Sequence, residues 1–276
     1  MVFFLYSDKN CEHQAIACIK SLTGKVTDDV QLVYYTIGFK TDFSFKNLTA
    51  IQIAYKPEYP RFHFYKAELS LMTMKIFPDD NYVFSDTDIL YSRKFNFDSV
   101  KHNLSYPLAS YGPHEYPYMW YEINGETVIR DETVLMKYHN VPQRSQRYVW
   151  SCFYSFNPSC TDFFEEYTSM CRNQYLLKDH HIYFPYADET PFNICLWKRN
   201  ATQNLEHAFV NTHRVETVRR VEEESEGRVH MGNNLDAFGA DWEYVHNPKK
   251  VLLYHGFKEK EEMNETLDYL INYESN

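Results

Sequence analysis

Glycine and proline are scarce in this 276-residue chain, 8 and 11 residues respectively. That excludes collagen-like, low-complexity and linker-dominated architectures, which need one or both in quantity. No stretch comes near the roughly 20 apolar residues required to cross a bilayer. The opening MVFFLY lacks the basic segment of a secretion signal. Nor is there a CxxC pair among Cys11, Cys18, Cys152, Cys160, Cys171 and Cys195. The expectation is reduced cysteines buried in a core, in a cytoplasmic protein. Positive charge is also short, with 28 Lys and Arg against 38 Asp and Glu and a net charge of -10. A nucleic-acid partner is therefore not expected, and an anionic ligand would need a metal ion or a few well-placed cations.

Aromatic residues, in contrast, are plentiful: 24 Tyr and 20 Phe, in a chain long enough for a sizeable core. VFFLY (2–6) reads as a buried strand, and Cys11, Ala15, Cys18 and Leu22 then recur at helical spacing. VQLVYYTIG (30–38) and LTAIQIAY (48–55) are two further strands. Phe64, Ala67, Leu71 and Met74 mark a helix ending near Pro78, and NYVF is a fourth strand. This βαββαβ order predicts an α/β fold with a mainly parallel sheet. Beyond residue 100 the pattern predicts strands at 106–112 and 148–156, with an irregular insertion at 113–147 between them. Helices are expected at 160–175, capped near Asn157, and at 188–197, with Pro191 in the first turn. Residues 216–234 read as a solvated charged loop. KVLLYHG (250–256) is a last strand before a charged helix at 259–273. With no repeat and no flexible linker, one domain spanning 1–276 is expected.

Straight after the fourth strand comes Ser85-Asp86-Thr87-Asp88. If strand geometry continued, Asp86 and Asp88 would point the same way. Two like charges side by side and partly out of water are unfavourable unless a cation lies between them. A solvated turn is the alternative reading. In parallel sheets, ligands bind at the carboxyl ends of the strands. Asp8 follows strand one there, so three carboxylates should converge on one edge. Two later motifs join them, Asp188-Glu189 with Asn193, and His255-Gly256-Phe257-Lys258. Two carboxylates and one imidazole suit Mn²⁺ or Mg²⁺ with positions open to substrate phosphates. Equally, Glu189 could merely complement a helix dipole, and His255 could be a hydrogen-bonded core residue. His63, His114, His180 and His181 have no ligand spacing.

Taken in order, these motifs resemble those of nucleotide-sugar glycosyltransferases of the GT-A fold, in which a DxD motif follows the fourth strand. VFFLYSDKN resembles the first βα unit of glycogenin and the lipo-oligosaccharide galactosyltransferases. YHGFK is similar to, though shorter than, the His-x-x-Gly-x-x-Lys of that group. YADETPFN resembles the Asp-Glu-x-x-x-Asn segment of the blood-group α-1,3-galactosyltransferases. The resemblance implies a Rossmann-like single domain with a mixed, mainly parallel sheet flanked by helices. Residues 1–100 would bind the nucleotide sugar, and 101–276 would bind the acceptor and carry the catalytic groups.

Carried over residue by residue, the resemblance gives Asp8 to the nucleobase, with Asn10 beside it, and sets Arg61 and Lys66 against the donor. Asp86, Asp88 and His255 would hold the metal, while Gly256 and Lys258 meet phosphate. Glu189 would lie beneath the anomeric carbon and Asp188 would orient sugar hydroxyls. The implied activity moves a hexose from a nucleotide diphosphate sugar, UDP-linked, to a glycan or glycoconjugate hydroxyl with retention. An inverting enzyme with Asp188 or Glu189 as base, or a non-catalytic nucleotide-sugar-binding relative, are the alternatives. Peripheral contact with a membrane-borne acceptor is compatible with a chain that lacks a spanning segment. Tyr116, Tyr118, Trp120 and Tyr121 suit either stacking on an acceptor sugar or core packing. Haloacid dehalogenase-type phosphotransferases also use Asp-x-Asp, but after their first strand.

Overall fold

The computed structural model describes residues 1–59, 62–78, 80–100, 105–111, 118–123, 126–142, 148–177, 180–184, 186–201, 209–212, 214–223, 229–230, 243–244, 253–257 and 259–272. The first half runs β1 (Val2–Ser7), α1 (Glu12–Lys20), β2 (Gln31–Ile37), β3 (Leu48–Ile53), α2 (Tyr65–Ile76), β4 (Tyr82–Ser85) and β5 (Ile89–Tyr91). There follow β6 (Leu108–Tyr111), β7 (Tyr118–Ile123), β8 (Glu126–Asp131), α3 (Glu132–Tyr138), β9 (Val149–Phe156), α4 (Thr161–Asn173), α5 (His180–Tyr183) and α6 (Glu189–Lys198). The chain closes with β10 (Phe209–Asn211), α7 (Val215–Glu223), β11 (Val229–His230), β12 (Glu243–Tyr244), β13 (Leu253–His255) and α8 (Lys260–Asn272).

The main sheet has the order β3-β2-β1-β4-β9-β6. β1 to β4 are parallel, and β9 is antiparallel to both β4 and β6. The continuous apolar runs follow from burial on both faces of this sheet. Along β1, Val2, Phe4 and Tyr6 enter the core under α2, α4 and α6, while Phe3 and Leu5 enter the core under α1. The same alternation continues in β4, so Phe84 faces α2 and Val83 faces α1. The expected α/β class and mainly parallel sheet are what the structure has.

A second sheet, β10-β13-β5, positions the site. The chain leaves the main sheet after the four residues of β4, and β5 pairs antiparallel with β13, His255 opposite Ile89. The turn carrying Asp86 and Asp88 therefore bridges two sheets. None of the six cysteines is disulfide-bonded, and all but Cys11 are buried.

Two expectations need correction. The charged loop at 216–234 begins as helix α7, because Val215, Val218 and Val221 make a buried stripe. Its Glu222 is buried as well, accepting hydrogen bonds from Arg93 (3.1 Å) and Tyr254 (2.7 Å). Residues 224–228 and 231–234 of that stretch lie outside the described residues. The insertion at 113–147 is not irregular throughout: β7 and β8 form an antiparallel hairpin leading into α3. Tyr116 is outside the described residues, and only backbone is described for Tyr118, Trp120 and Tyr121.

Candidate active site

Asp86 and Asp88 follow β4 directly. Asp86 continues the strand's alternation, so its side chain faces α2, while its N–H donates to Cys152 in β9 at 2.7 Å. Asp88 ends the turn, and its carbonyl accepts the N–H groups of Gly256 (3.1 Å) and Phe257 (3.3 Å). Gly256 holds φ +106°, a conformation side chains strain to adopt, which accounts for glycine there. Its N–H is committed to Asp88 rather than turned toward a phosphate. With the β5–β13 register fixed in this way, His255 Nε2 stands 3.6 Å from Asp88 Oδ2. Ligand atoms of Asp86, Asp88 and His255 all lie within 4.8 Å of one another. The Trp150 ring meets the His255 ring edge-on, 5.0 Å between centroids.

Lys66 sits beneath this group. It is a buried α2 residue, its side chain 4% exposed, with Nζ 3.1 Å from Asp86 Oδ2 and 2.9 Å from Asp188 Oδ2. Sequence reading set Lys66 against a donor; the structure places it as a counter-ion shared by two carboxylates. Burial works against its charge, but Asp188 and Asp86 outweigh that and raise its pKa well above the ordinary lysine value. Asp188 receives the converse effect. Burial would raise its pKa, yet Lys66 holds it below the usual carboxylate range. Burial also pushes Asp86 up, to about 7, with Lys66 opposing and Asp88 and Asp188 adding.

Asp188 and Glu189 open α6 because Asn193 ties that helix to the edge of β9. Its amide accepts from the Val149 N–H and donates to the Val149 carbonyl, both at 2.8 Å, like a strand partner. Ser151 Oγ donates to Asp188 at 3.0 Å and accepts from Lys66 at 3.3 Å. Burial and the adjacent Asp188 raise Glu189 to about 8, while Lys66 and a hydrogen bond from Tyr148 oppose the rise. Asp188 is thus the anionic member of the pair at neutral pH, and Glu189 the proton-bearing one.

Asp8 accepts the Cys11 N–H at 3.0 Å, capping the turn into α1. Burial and the Asp8 and Asp88 carboxylates together push the Cys11 thiol up, so Asp8 shares this edge with the turn. Asn10 is exposed, its carbonyl accepting from His13 at 3.1 Å. Asn157 caps the turn before α4 by accepting from the Ser159 N–H, which is the capping role. Arg61 and Lys258 are outside the described residues. Ser151, Tyr148 and Trp150 were missed in the sequence. Tyr148 meets Glu189, Trp150 meets His255 and Ser151 meets Asp188 and Lys66, and only a polar residue inside an apolar strand could have flagged Ser151.

The same arrangement of elements recurs in solved structures. The chain is similar to the bifunctional glycosyltransferase WbbM, in its apo form, with TM-score 0.59 and 12% identity over 97% of this chain and 49% of that one. It also matches the galactosyltransferase LgtC in complex with donor and acceptor sugar analogs, with TM-score 0.55 and 10% identity over 99% of this chain and 98% of LgtC. An active-site mutant of LgtC gives TM-score 0.56 at 11% identity. The chain has the GT-A fold. It spans about half the length of WbbM. By sequence, no family model and no curated protein matches it. On this GT-A frame the Asp86–Asp88 turn, His255 and the start of α6 gather at the carboxyl edge of the sheet. No described helix is long and apolar enough to cross a membrane.

Proposed function

We propose that the protein is a metal-dependent glycosyltransferase that moves a hexose from a nucleotide diphosphate sugar, UDP-linked, to a hydroxyl of a glycan or glycoconjugate. The observation that carries this is the Asp86–Asp88–His255 group, within 4.8 Å, at the carboxyl edge of a GT-A sheet. Two carboxylates and one imidazole fit a hard divalent ion, Mn²⁺ or Mg²⁺. Such an ion, when bound, neutralises a diphosphate leaving group as a Lewis acid. The WbbM and LgtC likeness supports the transferase class, and LgtC in its complex holds donor and acceptor sugar analogs.

In this reading Asp86, Asp88 and His255 hold the ion, and Lys66 keeps Asp86 and Asp188 in place. Asp8, with Asn10 beside it, meets the nucleobase, and Arg61 and Lys258 supply positive charge to the diphosphate. Gly256 acts through its backbone, fixing Asp88. Asp188 orients sugar hydroxyls as an acceptor of hydrogen bonds. Glu189 stands beneath the anomeric centre, where a retaining transfer needs a carboxylate, the form that a divalent ion bound nearby would favour. The chain works as one unit, residues 1–100 binding the donor and 101–276 binding the acceptor and carrying the catalytic groups.

The test is calorimetric titration of UDP with and without Mn²⁺, in the wild type and in Asp88→Asn. Metal-dependent affinity is expected to fall by about 100-fold or more in the variant. Equal affinity in both proteins overturns the metal assignment. Product anomeric configuration, read by NMR, tests retention.

A further inference from the structure

Below the Asp86–Asp88 turn, on the face opposite Lys66, lies a chain of buried hydroxyl groups with no part in the chemistry above. Tyr91 OH donates to Ser85 Oγ at 2.8 Å, and Ser85 Oγ donates onward to the Asp86 carbonyl at 2.9 Å. Both side chains are fully buried. Cys18 Sγ lies 3.8 Å from the same Ser85 Oγ and the same carbonyl. Tyr91 is in turn anchored by its own N–H, which donates to Ser21 Oγ at 3.0 Å. Ser85 is the last residue of β4 and Tyr91 the last of β5, so this bond closes the turn from its far side back to its near side. The two acidic residues are carried on the closed segment.

We propose that Ser85 and Tyr91 are positioning residues, a hydroxyl clasp that sets the separation of the Asp86 and Asp88 carboxylates before any cation arrives. The proposal rests on the metal reading of the site. Two half-buried carboxylates repel, and a turn free to relax would open and lower that repulsion. Here relaxation is opposed on three sides. Cys152 holds the Asp86 N–H, Gly256 and Phe257 hold the Asp88 carbonyl, and the clasp holds the Asp86 carbonyl. The first two are main-chain bonds; the clasp alone among the three is made by side-chain hydroxyls. Removing Tyr91 OH leaves the Ser85 hydroxyl with its long Cys18 contact, and removing Ser85 Oγ leaves the phenol unanswered and the carbonyl with the long Cys18 contact. Groups that orient a metal ligand without touching the metal typically contribute 10- to 100-fold to affinity.

The experiment titrates Mn²⁺ into the full chain, followed by electron paramagnetic resonance, for wild type, Ser85→Ala, Ser85→Thr, Tyr91→Phe and Asp88→Asn. Thermal melting is recorded on each protein. Ser85→Ala and Tyr91→Phe should each weaken Mn²⁺ binding by about 10-fold. Their double variant should lose little more than either alone, because the two act as one unit. Ser85→Thr, which keeps the hydroxyl, should restore affinity. Wild-type affinity in both single variants, with Asp88→Asn still abolishing binding, overturns the clasp and leaves the metal site standing. Equal weakening by Ser85→Thr and Ser85→Ala also overturns it, since packing rather than the hydroxyl would then matter. A wild type that binds no Mn²⁺ overturns the metal reading itself.

Discussion

Asp86–Asp88 sits in a turn between strands of two sheets, whereas Asp188–Glu189 opens a helix. The turn pair is held through its backbone, by Cys152 on one side and by Gly256 and Phe257 on the other. The helix pair is held at a distance, through the Asn193 amide locking α6 onto β9. What joins them is Lys66, which contacts the first member of each pair, Asp86 and Asp188. The second members meet different surroundings. Asp88 faces the His255 imidazole, and Glu189 is driven toward its protonated form by burial and by Asp188. Lys66 thus holds Asp188 low while burial lifts Asp86 and Glu189, which is how a single site separates charge-holding from proton-holding roles.

Lys66→Met breaks the comparison most severely. It leaves Asp86 and Asp188 buried without their counter-ion, and removing one partner of a buried ion pair typically costs about 3–5 kcal/mol. Urea unfolding at neutral pH should show a loss of that order, with Lys66→Arg less affected. A loss below about 1 kcal/mol, the scale of a surface pair, would mean that the two pairs stand independently of Lys66.

Asn193→Ala separates the pairs instead. Val149 loses the partners of both its N–H and its carbonyl, at about 1–3 kcal/mol for each buried group left unsatisfied. The start of α6 loosens, while the turn pair keeps every backbone bond it has. Mn²⁺ affinity should therefore change by no more than about fivefold, through the Lys66 that the two pairs share, even as the unfolding midpoint falls. A parallel collapse of metal binding would show that α6 sets the turn pair too.

How much of this was readable in advance follows from the physics of each element. β1, β2 and β4 announce themselves because strands buried on both faces carry near-continuous apolar runs. Asp86 and Asp88 were findable because the topology fixes which strand ends meet. Helix α7 was hidden, since the charges around Val215, Val218 and Val221 outnumber a stripe of three valines. The Lys66 ion pairs were not legible either. Lys66 lies on a helix that reads as ordinary, and its partners Asp86 and Asp188 come from separate stretches brought together only by the sheet order. Ser85 and Ser151 read as fillers in apolar strands until their partners from β5, α2 and α6 are known.

The finest test of the comparison is pH-dependent stability in Glu189→Gln. In the unfolded chain Glu189 loses its proton near the ordinary value of 4.5, whereas the folded protein retains it to about 8. Between those values the folded state binds more protons than the unfolded one, so stability falls as pH rises through this window. The contribution is fully present below pH 4.5 and gone above about 8. Glutamine removes the dependence and keeps the shape of the protonated side chain. The variant should match wild type at pH 4 and exceed it by about 1–2 kcal/mol at pH 8, allowing for partial exposure of the carboxyl. Urea midpoints across that range read the difference directly. A constant offset at every pH would place Glu189 in the same charged state as Asp188, and the contrast within the helix pair would disappear.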